Sequence, residues 1–247
     1  MAQVSLVPKI VKRFSGFSPD AISFLRGLKR NNRREWFQPR KAKYEALIKA
    51  PMLELVACLN EEFARFAPNY MTPPEKSLHR IYRDTRFSLD KTPYKTHISA
   101  SFPRHTAVKR SGAVLYFHFS EKEVLVFGGV YSPEREEVLA YRNLLAEHYE
   151  EFQQLLANKD IKRLTNGLEG AQLSRMPKGF PVDHPAEGLL RKKQWYLETA
   201  LPIGVLTTPR LVPELARRFE VMAPMVEFLN RPFAQKEKRK KMPFMAF

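Results

Sequence analysis

The chain is 247 residues long, 44% apolar and 28% charged, a balance that suits a globular protein with a substantial core. No apolar run approaches the roughly 18 residues that a membrane span needs. The formal net charge of +16 points toward nucleic acid, acidic partners or anionic small molecules, with solubility alone as the plain alternative.

Cys58 is the only cysteine, so an intrachain disulfide is excluded. The start, MAQVSLVPKIVKRF, lacks the apolar core of a secretory signal, and a cytoplasmic location is expected. The positive charge is uneven. Residues 26–43 hold eight basic residues and one acidic, and residues 74–110 hold nine basic and three acidic. Residues 231–241 hold six basic and one acidic, while 134–160 is an acidic counterweight.

In chain order, residues 1–13 read as a basic arm and 14–230 as one α+β domain. Ser18, Pro19 and Asp20 mark a helix start: a capping hydroxyl, a proline at the first helical position, an acid at the positive end. Phe24, Leu25 and Leu28 follow at helical spacing, and Asn31-Asn32 stops the helix. Trp36 and Phe37 read as core anchors. In a basic corner they could also serve a single-strand nucleic-acid binder. Pro39 and Pro51 head two further helices. The second carries a stripe from Met52 through Leu55, Leu59 and Phe63, and includes Cys58, read as a structural thiol.

Residues 79–104, HRIYRDTRFSLDKTPYKTHISASFPR, are the densest run of chemistry-bearing groups. Alternation predicts one strand over about 80–89 and a second over 94–102, joined by a turn at Asp90–Pro93. A helical reading of 79–87 stays open. The polar face of the second strand is Lys95, His97, Ser99 and Ser101.

Further on, AVLYFHFSEKEVLVFGGV predicts a hairpin, with Leu115, Phe117 and Phe119 alternating against Val114, Tyr116 and His118. Gly128-Gly129 suggests a bulge or a close backbone approach. Ser132-Pro133-Glu134 predicts the start of a long helix. A second polar cluster holds Arg175, Lys178, Asp183 and His184. WYLETAL reads as a strand and Pro213–Leu229 as a last amphipathic helix. Residues 231–247 read as a basic, disordered tail.

Together these elements predict an α+β fold: an N-terminal helical layer, a largely antiparallel sheet and C-terminal helices. Several stretches are similar to the family catalogued as domain of unknown function 2461. They are Phe24-Leu25 through Asn31-Asn32 with Arg34 and Trp36-Phe37; RIYRDTRFSLDKTPYKTHISASF; FGGVYSPE; and RMPKGFPVDHP with LLRKK after it. The resemblance covers about residues 14 to 229 and leaves out the tail. It implies a mixed α+β domain and two polar motifs, and it carries no reaction.

The residue chemistry predicts an anion pocket, because guanidinium forks match phosphate and carboxylate oxygens. The expected ligand-binding set is Arg80, Arg83, Arg86, Ser88, Asp90, Lys91 and Lys95, with Arg175 and Lys178 from the other side. Asp84, Tyr94 and His184 are the candidates for proton transfer, with His97 as a further one. The competing reading is a salt-bridged loop in which Asp84 is held by Arg83 or Arg86 and Asp90 caps its own turn. No metal site is expected, since no histidines pair at i, i+4 and basic neighbours would repel a cation. No cofactor is identifiable, and enzymatic activity is left open. The expected partner is a small molecule bearing phosphate or carboxylate. The alternative is non-enzymatic association with nucleic acid through the basic surface and tail, and no membrane partner is expected.

Overall fold

The structure is a computed structural model that describes residues 13–105 and 112–234. The expected basic arm lies outside the described residues apart from Arg13, and so does the tail beyond residue 234. In residues 231–234 a helical turn spans Arg231–Phe233, Arg231 pairs with Glu151, and the Phe233 ring lies 5.0 Å from Tyr141.

The first helix, α1 (Pro19–Arg30), starts as its sequence dictates. The Ser18 hydroxyl accepts the Asp20 N–H at 3.2 Å, and Asn31 caps the far end by donating to the Gly27 carbonyl. Short turns α2 (Arg34–Phe37) and α3 (Lys41–Tyr44) follow. A π-helical turn, Glu45–Lys49, joins α3 to α4 (Ala50–Phe66). The wider turn falls just ahead of Pro51, whose missing N–H cannot serve an α-helical bond. The two expected helices are therefore one bent unit. The turn α5 (Pro74–Ser77) ends the helical layer.

Five antiparallel strands form one sheet in the order β1-β2-β3-β5-β4: β1 (Ile98–Pro103), β2 (Val114–Phe119), β3 (Glu123–Val130), β4 (Leu168–Glu169) and β5 (Trp195–Pro202). The expected hairpin is β2–β3, pairing Phe117 with Val126. The expected strand over 80–89 does not form; that segment is an irregular excursion held by isolated bridges Leu78–Ala100 and Tyr82–Tyr94.

Between β3 and β5 lie α6 (Arg135–Glu147), α7 (Tyr149–Leu156), α8 (Lys159–Leu164) and the turn α9 (Glu187–Leu190). The start of α6 falls later than Ser132-Pro133 suggests, because Glu134 and Glu137 form a reciprocal capping box. The last helix, α10 (Leu211–Leu229), crosses the core face of the sheet with Leu215, Phe219, Met222, Val226 and Leu229 buried.

Phe63, Phe102, Phe117 and Phe219 meet where sheet, α4 and α10 converge; the Phe63 and Phe102 rings lie 4.8 Å apart and Phe102 and Phe219 5.9 Å. Gly128 admits α10 at this face, since a side chain there would strike Met222. Gly129 has φ +139 and backs onto the Trp195 carbonyl. The close approach expected of this pair is thus found from two directions. The site lies on the sheet's other face, which among the described residues has no helix packed across it as α10 is packed across this one.

Candidate functional site

Strand alternation sends Ile98, Ala100 and Phe102 into the core, so Ser99 and Ser101 face the other way. Register then fixes their neighbours. Ser99 lies opposite His118 and Ser101 opposite Tyr116; Tyr116 lies opposite Phe127, and Phe127 opposite Glu198. Directly opposed residues share a face. This outer face is therefore a continuous row of hydroxyl, imidazole, aromatic and carboxyl groups.

The excursion before β1 supplies the row's border. Its base is closed by backbone bonds from His79 N–H to Ser99, Lys95 N–H to Ile81 and Arg83 N–H to Pro93, at 3.0, 2.8 and 2.9 Å. Asn32 anchors it to the helical layer. The Asn32 amide donates to the Tyr94 carbonyl at 2.8 Å and accepts the Tyr94 N–H at 3.0 Å. Tyr94 itself is buried, stacked on Phe37 with centroids 4.2 Å apart. Asn32→Ala is expected to cost about 1–2 kcal/mol, since it strands two partly buried backbone groups. Urea unfolding reads this, and increased proteolysis within 80–93 should accompany it.

Two cavities meet at His79, Lys95 and Val114. One, about 490 Å³, lies over the sheet's outer face and is lined by His97, His118, Tyr116, Phe127, Tyr131 and Glu198 among others. The other, a groove of about 920 Å³, runs past the β1 edge and is lined by Lys76, Arg80, Ser101, Arg104 and His105 as well as the shared residues. Among the described residues no carboxylate lines the groove. Glu227 offsets Arg104 at 3.0 Å. Asp84 lies within electrostatic reach of Arg80 but is held by Arg86.

The imidazoles form one network. The His97 and His118 rings are 4.8 Å apart, His118 Nδ1 shares a hydrogen bond with the Tyr116 hydroxyl at 3.2 Å, and His79 Nε2 shares one with Ser101 Oγ at 2.8 Å. Burial pushes all three histidines below their usual range. For His97 the neighbouring His118, Lys95 and His79 add to it and bring the value to about 4. Lys95 is pushed down by burial and then by Arg80. At the opposite end burial pushes Glu198 up, reinforced by Glu169 and Glu123. At neutral pH the cavity thus offers neutral imidazoles, each a donor and an acceptor, beside an ammonium held at a cost.

Of the residues picked from sequence, Arg80 and Lys95 line the groove. Arg83, Ser88, Asp90 and Thr92 form a local knot, with Arg83 bonded to Asp90 and Thr92 and 3.4 Å from the Ser88 hydroxyl. Asp84 holds Arg86 at 2.7 Å, and Lys91 donates to the Thr85 carbonyl. Tyr94 lies under Phe37, and its hydroxyl is pushed up by burial. Arg175 and Lys178 are exposed on the irregular stretch after β4. His184 Nδ1 accepts the Ala186 N–H at 3.0 Å just ahead of α9. None of these last three lines either cavity. Trp36 packs between Phe24 and Arg40, with centroids 5.5 Å from Phe24 and the guanidinium 4.7 Å above the indole.

His79, His118, Tyr116 and Glu198 were not singled out from sequence. For Tyr116 and His118 the signal is the outward-facing half of β2, legible once Ser99 is known to oppose His118; Glu198 joins them through β5 and His79 through its backbone bond to Ser99. Among the described residues no group of three or more His, Cys, Asp or Glu side chains is arranged to hold a metal ion. None of the described helices is long and apolar enough to cross a membrane.

The architecture and site define an α+β protein with a histidine-bordered cavity on the outer face of an antiparallel sheet. The family described as conserved hypothetical protein (DUF2461) matches residues 20–228, and the chain belongs to that family. No curated protein and no solved structure matches it.

Proposed function

We propose that the protein binds a small molecule bearing phosphate or carboxylate, with the anion seated where the two cavities meet. One observation carries the reading: Lys76, Arg80 and Lys95 border a groove lined, among the described residues, by no carboxylate, and Lys95 is desolvated beside a like charge. A fold does not gain stability from such an arrangement; an anion relieves both penalties. The neutral His97–His118 pair then stands next to the bound group as hydrogen-bond partners; of the proton-transfer candidates Asp84, Tyr94, His184 and His97, only His97 lines the cavity.

Association with nucleic acid is the second reading, and it rests on charge. The aromatic residues in its basic corner, Trp36 and Phe37, are engaged by Phe24, Arg40 and Tyr94.

Thermal unfolding in phosphate, sulfate, sugar phosphates and citrate tests the anion site. A ligand at 100 times its Kd adds about 2.7 kcal/mol, which for this length is roughly 5–10 °C. Lys95→Ala and Arg80→Ala should each reduce the shift, and the double variant should abolish it. Wild type showing no shift with any anion, or the double variant shifting equally, would sink the proposal. Steep salt dependence of DNA or RNA binding, unaffected by the double variant, would favour the second reading.

A further inference from the structure

We propose that the ligand is a nucleoside monophosphate whose base carries an exocyclic amino group, laid across the strands from β1 to β5. This rests on the anion site above and adds what the rest of the cavity recognises.

The outer face changes character along one direction. At the β1 edge stand Lys95, Arg80 and His79, suited to a phosphate. One strand further, Tyr116 and His118 offer hydroxyl and imidazole groups beside Ser99, suited to ribose hydroxyls. Two strands further the surface becomes aromatic: Phe127 and Tyr131 lie 6.0 Å apart, Phe127 and Tyr196 5.0 Å, and Tyr131 and Tyr196 5.6 Å. Tyr131 is 61% exposed, a large ring left open above a cavity, which is what base stacking requires.

At that same end stands Glu198, the one carboxylate among the described residues that line the cavity. A carboxylate accepts hydrogen bonds from an amino edge such as cytosine N4 or adenine N6. From Glu198 on β5 to Ser101 on β1 is three strand spacings, roughly 14 Å. The lengths of the Lys95 and Glu198 side chains allow a nucleotide to bridge this span between its base's amino edge and its 5′-phosphate. A simple phosphate or sugar phosphate would leave the aromatic end and Glu198 unused.

Calorimetry with the full chain should compare CMP, UMP and ribose 5-phosphate against wild type, Tyr131→Ala, Glu198→Gln and Lys95→Ala. Tyr131 is exposed and its removal leaves the core intact, so folding does not confound it. CMP should bind about tenfold or more tighter than ribose 5-phosphate. Tyr131→Ala should reduce that ratio several-fold while leaving ribose 5-phosphate unchanged. CMP should also exceed UMP, and Glu198→Gln should erase this preference, because an amide serves either edge. Lys95→Ala should weaken all three ligands. Equal binding of CMP and ribose 5-phosphate in wild type, or a ratio that Tyr131→Ala does not move, overturns the nucleotide inference and leaves the anion site standing. No binding by any of the three phosphates overturns this inference; if the thermal-shift anions are silent too, the anion site falls with it.

Discussion

Asn230→Ala is expected to lower the unfolding free energy by about 3 kcal/mol, the sum of two or so buried polar groups left without partners. Asn230 is 1% exposed and sits where α10 ends. Its amide donates to the Ala113 carbonyl at 2.8 Å and to the Tyr70 hydroxyl at 2.9 Å, and its oxygen accepts the Ala113 N–H at 2.9 Å. Ala113 is also buried and immediately precedes β2, so one side chain ties the last helix to the sheet's second strand. The alanine variant leaves both backbone groups of Ala113 stranded. Tyr70 keeps Glu227, to which its hydroxyl donates at 2.8 Å. The midpoint of urea unfolding should fall with an unchanged slope, and Tm should drop by roughly 6–12 °C. A loss below about 1 kcal/mol would mean that water replaces the amide, and the tie would then be dispensable.

The elements that were legible in the sequence are those whose signal is local. Ser18-Pro19-Asp20 states a helix start in three residues, β2 alternates strictly between buried and half-buried residues, and α10 repeats its apolar stripe over 19 residues. The strand expected over 80–89 failed for an equally local reason. Asp84 accepts the Arg86 N–H and Asp90 accepts the Thr92 N–H, so side chains take up backbone donors that a ladder would need. The same acids account for the site. Charge density drew attention to Arg83 and Arg86, yet the carboxylates that made the run look chemical are the ones that occupy them. Arg80 and Lys95 differ in lying at the base of the excursion, away from that knot. The residues that complete the cavity come from positions 79, 97, 118 and 198 and are ordinary one at a time. Long-range register alone makes them neighbours, and one sequence does not state register.

Acid should destabilise the protein across pH 6.5 to 4.5, earlier than carboxylate chemistry alone would. His97, His79 and His118 are each held below the ordinary imidazole value of 6.5. A histidine kept neutral in the fold takes up its proton on unfolding, so falling pH favours the unfolded chain. The stability is fully present above 6.5 and is lost as pH drops toward the folded value, about 4 for His97. Its share is about 1–2 kcal/mol once solvent screening is discounted, and His79 and His118 act in the same direction. The groups facing His97 are Lys95, His79 and His118, all bases, so nothing in its surroundings favours the protonated ring. Carboxylates held low, Asp84 and Asp90 among them, contribute loss only near and below pH 4; Glu198, held up by burial, acts in the opposite direction above that, against three histidines. Unfolding free energy against pH should therefore slope upward between 4.5 and 6.5, and His97→Phe should flatten part of it. A saturating phosphate ligand should flatten it further, because an anion beside these rings raises their proton affinity in the folded state. A flat profile through this window would show the imidazoles to be open to water, and the desolvated cavity on which the anion site depends would not exist.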